Sequence, residues 1–163
     1  MRLFFVATAA LVLSFMATEL LLAEADDVPL NKLPPAVVAA VKARFPKAEL
    51  LSAEKKTEKE KMIYEVDLKY DGHKTEARLT LEGKWVSIEK TIETKDAPAA
   101  VLAAVADKYG KDAIEGAEEV YLFPAGKEKL DHYNLSIKPT KGKAFDVTVS
   151  VDGKSIEKVE EEK

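Results

Sequence analysis

The stretch PPAVVAAVKARFPK at 34–47 returns in nearly the same letters as PAAVLAAVADKYGK at 98–111. Laid over one another, Pro34 falls opposite Pro98, Val37 opposite Val101, Val41 opposite Val105, and Phe45 opposite Tyr109. Apolar residues at 37, 41 and 45, and again at 101, 105 and 109, form one stripe of an amphipathic helix. A proline near each start suits a first helical turn, where a missing N–H loses nothing. Asp96 is the expected N-cap of the second helix, and Pro46 and Gly110 the expected stops.

Downstream of each helix the period shortens to two. Tyr64, Val66, Leu68 and Tyr70 alternate with Glu65, Asp67 and Lys69, then Asp71-Gly72 turns the chain into Thr75, Ala77, Leu79 and Leu81. Glu82-Gly83 makes a further turn before Val86 and Ile88. The second unit runs through Tyr133, Leu135 and Ile137, a turn at Lys141-Gly142, then Phe145, Val147, Val149 and Val151, and a turn at Asp152-Gly153 before Ile156. Such alternation describes antiparallel strands with one buried and one solvated face. The expectation is an α+β protein: two tandem helix-plus-four-strand repeats, 26–92 and 93–163, forming one antiparallel sheet of about eight strands with the helices packed on one face. A unit of this size buries little surface alone, which favours two copies sharing a core.

Composition narrows the function classes. Twenty-five Lys and Arg are scattered among twenty-nine Asp and Glu, for a net charge of −4, so no basic field suited to nucleic acid exists. Arg2 precedes the apolar run LFFVATAALVLSFM at 3–16, and Ala23-Glu24-Ala25 offers a small-x-small cleavage site. Residues 1–25 therefore read as a secretory signal peptide cleaved after Ala25, giving a periplasmic or secreted chain with no stable membrane insertion. Glu19 interrupts the run, which argues against a spanning anchor. There is no cysteine, so stability rests on packing without a disulfide.

Several stretches together resemble the PepSY-like family, related to tandem-repeat β-lactamase inhibitor proteins. They are the Leu-Pro-x-Ala-Val opening at Leu33 to Val37, the aromatic-Pro break at Phe45-Pro46, YEVDLKYDG at 64–72 and EGKWVSIE at 82–89. The resemblance implies a small exported, non-enzymatic protein whose sheet faces outward and binds or inhibits another protein, a hydrolase or peptidase among the candidates. The second repeat departs from the first, with Gly110 in place of Pro46, an extra loop around Pro124 to Lys129, and Ser155 near the position of Trp85.

No catalytic residue, metal ligand set or cofactor motif is assigned. His73 and His132 stand in no ligand pair and read as surface histidines. The charge run at 54–61 reads as a solvated hairpin loop and the tail at 159–163 as a frayed acidic end. If Val86 and Ile88 point inward, Trp85 points outward, and by the same logic Tyr121 and Phe123 oppose inward Val120 and Leu122. That places Trp85, Tyr121 and Phe123 on the open sheet face among Glu65, Asp67, Lys69 and Arg78, a composition suited to a protein-binding patch. A one-residue bulge would reverse the facing of Trp85 and pack it inward. The two functional readings are a protein-binding module acting through that face, and a periplasmic protein that binds a peptide, a small ligand or a metal ion.

Overall fold

The computed structural model describes residues 26–159. The signal peptide expected at 1–25 and the acidic tail beyond Val159 lie outside the described residues. The order is β1 (Asp26–Asp27), α1 (Pro35–Arg44), β2 (Glu49–Glu58), β3 (Lys61–Tyr70), β4 (His73–Thr80), β5 (Trp85–Ile92), α2 (Ala99–Tyr109), β6 (Ile114–Leu122), β7 (Lys129–Ile137), β8 (Phe145–Ser150) and β9 (Ile156–Lys158). All nine strands form one antiparallel sheet in chain order, one more than expected because the short β1 pairs with β2.

Hairpins join most neighbours, but β5 and β6 are paired antiparallel across the whole of α2. That pairing welds the tandem helix-plus-four-strand repeats into one sheet. Along β5, Ile88 lies opposite Ala77 and Ile92 opposite Ala117, and two strand positions of even spacing share a face. Both helices consequently pack on the same side. Val37, Val41 and Phe45 of the first meet Ala53, Val66, Leu68, Ala77, Leu79 and Ile88. Val101 and Val105 of the second meet Ala117, Tyr133, Leu135, Ile137, Val147 and Val149. Each fully buried valine or leucine in these clusters contributes about 1.5–3 kcal/mol of transfer free energy.

The local endings differ from expectation in two places. Asp96 ends a 3-10 turn at Thr94–Asp96, and Pro98, two residues on, holds the N-cap position of α2, where its side chain has no group to cap the helix. Gly110 does close α2, at φ +90°. The charge run at 54–61 is not a loop: β2 continues to Glu58 and β3 begins at Lys61, so only Lys59 and Glu60 turn. Its lysines and glutamates are the polar faces of two strands, where alternate positions ask for charge.

Candidate functional site

The sheet face opposite the helices is built by parity. Register places Glu54, Glu65, Arg78 and Ser87 side by side across β2 to β5, and Ser52, Asp67, Glu76 and Glu89 side by side in the next row. Thr91, Glu118, Asn134 and Thr148 continue the face toward β8. No helix among the described residues covers it, yet its long side chains shade one another: Glu65 and Arg78 are about 20% exposed, and Ser87 at the floor only 2%.

Charge is arranged unevenly here. Arg78 pairs with Glu58 and lies 3.8 Å from Glu65, while the Lys56 ammonium bridges Glu65 at 2.6 Å and Glu58 at 3.6 Å. Asp67 accepts a hydrogen bond from the Ser52 hydroxyl at 2.9 Å and pairs with Lys74 at 3.3 Å. Glu76 has acidic neighbours on both sides in its row, Asp67 on β3 and Glu89 on β5. Burial, followed by the charges of Glu65 and Glu89, pushes its carboxyl up to about 8, with Arg78 offsetting only part. Burial and the Glu89 charge likewise raise Glu118, although the Thr91 hydroxyl donates to it at 3.4 Å. Among the described residues Ser87 Oγ is buried without a hydrogen-bond partner, and Asp67 Oδ1 and Arg78 Nε have only their ion-pair contacts with Lys74 and Glu65.

The structure divides the residues the sequence grouped together. Glu65, Asp67 and Arg78 do share the open face, and Lys69 stands exposed at the same parity. Trp85, Tyr121 and Phe123 do not join them: all three pack against the helix-side cluster. The cause is a bulge between β4 and β5, where the register jumps from Arg78–Ser87 to Leu79–Trp85 and leaves Val86 unpaired. Trp85 thereby faces the same way as buried Leu79, with its ring 6.0 Å from Phe45 and stacked 5.6 Å from Phe123. Tyr121 lies opposite Ile88 on the helix side, while Val120 and Leu122 take the open side opposite Glu89 and Ser87. The Tyr121 hydroxyl donates to Glu119 at 2.9 Å, and burial together with that bond pushes it up to about 12.

Sequence reasoning put Glu89 on the outward face but did not group Lys56, Glu58, Glu76 or Glu118 with the site, all of them at polar positions of the alternation. The signal was present in the strand parity, but their convergence depends on pairing partners that a single strand does not name. The histidines are half-buried and bonded instead of free at the surface. His73 donates through Nδ1 to the Thr91 carbonyl at 3.0 Å, and His132 Nδ1 lies 3.1 Å from an Asp131 oxygen. Among the described residues no three His, Cys, Asp or Glu side chains are placed to hold a metal ion, and no helix is long and apolar enough to cross a membrane.

Comparison with known proteins agrees with this geometry. The family described as "Putative beta-lactamase-inhibitor-like, PepSY-like" matches twice, at 19–76 and 62–121, leaving β7 to β9 unmatched. A DUF2874 family protein of Bacteroides uniformis shares the fold at a TM-score of 0.60 and 18% identity, over 77% of this chain and 88% of its own. A "putative periplasmic" protein of Bacteroides eggerthii gives 0.59 and 18%, over 77% and 88%. A "BLIP-like protein" of Bacteroides fragilis gives 0.55 and 19%, over 76% and 84%. No curated protein matches the sequence. With the family profile matched over more than half of its length, the chain belongs to the PepSY-like, beta-lactamase-inhibitor-like family.

Proposed function

We propose that this chain is an exported, non-enzymatic protein-binding module that engages its partner through the open sheet face, with 26–92 and 93–163 as its two repeat units. The observation that carries the reading is the row Asp67–Glu76–Glu89: three carboxyl groups held side by side on a sheet face that no helix among the described residues covers. Stability alone disfavours such facing, since opposed carboxylates repel and Glu76 is held protonated instead. A preformed surface loses little conformational freedom on binding, so its charges can set specificity at small entropic cost.

Glu65, Asp67, Lys69 and Arg78 line this face in the reading, and Trp85, Tyr121 and Phe123 buttress it from the helix side. The family's inhibitor-like description and the "BLIP-like" relative support a hydrolase or peptidase as the partner and inhibition or regulation as the outcome. The "putative periplasmic" relative and the leader-like residues 1–25 support a periplasmic or secreted location. Capture of exported proteins on the immobilised chain tests the surface. A partner held by the wild type and by the helix-side control Lys42→Glu, but released by Glu76→Lys with Glu89→Lys, is the expected result. Equal retention by the double variant would overturn the open face as the binding surface.

A further inference from the structure

A second site lies where three turns meet at one end of the sheet. A groove of about 910 Å³ opens there between the β2–β3 and β4–β5 turns and the segment joining β6 to β7. That volume is within the range of small-molecule sites. Its floor is Ile63, Trp85, Val86, Leu122 and Phe123, with Trp85 and Phe123 stacked as one continuous aromatic wall. Around it stand Lys59, Lys61, Lys84 and Lys129, all exposed.

The charge at this rim reverses that of the chain, which is −4 overall. The two acids of the groove are already engaged, Glu58 with Arg78 and Lys56, and Asp131 with His132 and Lys129. Lys59, Lys61 and Lys84 have no ion-pair partner among the described residues. Three unneutralised ammonium groups over an apolar floor complement a ligand with an anionic head and an apolar body.

Backbone chemistry chooses between the two forms that such a ligand could take. Of the floor, Ile63 and Leu122 are paired on both sides, and the Phe123 carbonyl already accepts the Gly126 N–H. Outside those ladders the floor offers only the short stretch at Trp85 and Val86, too little to pair the backbone of an extended peptide, which would bury amides without partners. A polymethylene chain asks for none. We infer that the groove binds single-chain carboxylate amphiphiles, the carboxylate at the lysine rim and the alkyl chain along the Trp85–Phe123 wall. The groove adjoins the open face at the Glu58–Arg78 pair, but the inference does not depend on a protein partner binding there.

Trp85 is the only tryptophan and lines the groove, so it reports directly. Dodecanoate, dodecanol and dodecyltrimethylammonium, each below its micellar concentration, are titrated into the exported chain by tryptophan emission and in parallel by equilibrium dialysis with labelled ligand. Dodecanoate is expected to bind saturably and at least about tenfold more tightly than the other two. Lys59→Gln, Lys61→Gln and Lys84→Gln combined should weaken it about tenfold, the sum of three exposed charge pairs, and bring it level with dodecanol. These positions are exposed, and an unchanged thermal melt shows that the fold survives. Equal affinity for all three ligands, no saturable binding in dialysis, or tighter binding of a leucine-rich hexapeptide ending in glutamate would each overturn the assignment.

Discussion

Glu76 and Glu89 stand directly opposite each other across β4 and β5, with Asp67 opposite Glu76 on its other side. Burial and these neighbours raise the Glu76 carboxyl from 4.5 to about 8, so the folded chain holds a proton that the unfolded chain releases. The contribution to stability is complete below pH about 4.5 and is lost as pH rises through about 8. Urea midpoints should therefore fall between pH 5 and pH 9. Glu76→Gln should flatten most of that slope, with the remainder from Glu118, whose shift has the same sign. A profile that rises over this window, or an unchanged slope in the variant, would contradict the burial of Glu76 among carboxylates.

Two turn glycines seat the helices on the sheet. A Cβ at Gly83 would come within 2.6 Å of the Ala36 carbonyl oxygen, and one at Gly153 within 2.5 Å of the Ala100 carbonyl oxygen. Ala36 and Ala100 are equivalent positions of the two helices, so each repeat docks its helix start against its own hairpin turn. Both glycines also have positive φ, +74° and +73°. Gly83→Ala and Gly153→Ala should each cost about 2–3 kcal/mol, clash added to backbone strain. Gly72→Ala meets open space at φ +83° and should cost only about 1 kcal/mol. Equal losses at all three positions in denaturant melts would dismiss the close approach.

Much of this fold was legible because its signals are local. The helical stripe at Val37, Val41 and Phe45 and the alternation from Tyr64 to Tyr70 each settle an element without reference to the rest of the chain. The facing of Trp85 was not legible, because a single unpaired residue, Val86, inverts it, and no composition marks the bulge. The charged set was half legible: parity places Glu65, Asp67 and Arg78 on one face, but the acidic row needs the register of three strands. The groove was invisible from sequence, since its lysines come from turns separated along the chain and brought together only by the meander.

The turn at Lys59 and Glu60 has positive φ at both residues, +46° and +66°, without a glycine or asparagine. Two-residue hairpin turns of this kind favour Asn-Gly, because side chains with a Cβ are strained there. Lys59→Asn with Glu60→Gly should raise stability by about 1 kcal/mol, seen as a higher melting temperature. The same change should weaken dodecanoate binding only modestly, since Lys61 and Lys84 remain. A fall in melting temperature would mean that the native turn is not strained as described.

Arg44 at the end of α1 donates from Nη2 to both carboxylate oxygens of Glu128 in the segment before β7, at 2.8 and 3.1 Å. It ties the first repeat's helix to the second repeat's loop over a cavity of about 230 Å³ beside Phe45 and Tyr121. Both side chains are more than a third exposed, so solvent screens the pair despite its geometry. A double-mutant cycle with Arg44→Ala and Glu128→Ala should give a coupling of at most about 1 kcal/mol, reduced in high salt.

Trp85 links packing to function and sets a condition on any binding experiment that uses it. Its ring touches Phe45 and Phe123 on the helix side while one edge lines the groove. Truncation removes aromatic contacts and leaves a void next to Phe45, so Trp85→Ala should cost about 2–3 kcal/mol, less than a fully buried tryptophan because the side chain is only partly buried. Its emission should lie to the blue of free tryptophan and be only partly accessible to acrylamide, with dodecanoate increasing the protection. Loss of a protein partner in Trp85→Ala with binding kept in Trp85→Phe, which preserves much of the packing, would therefore report lost support beneath the open face and not a direct contact by Trp85. Fully water-like emission with complete quenching would take Trp85 out of both the aromatic cluster and the groove wall.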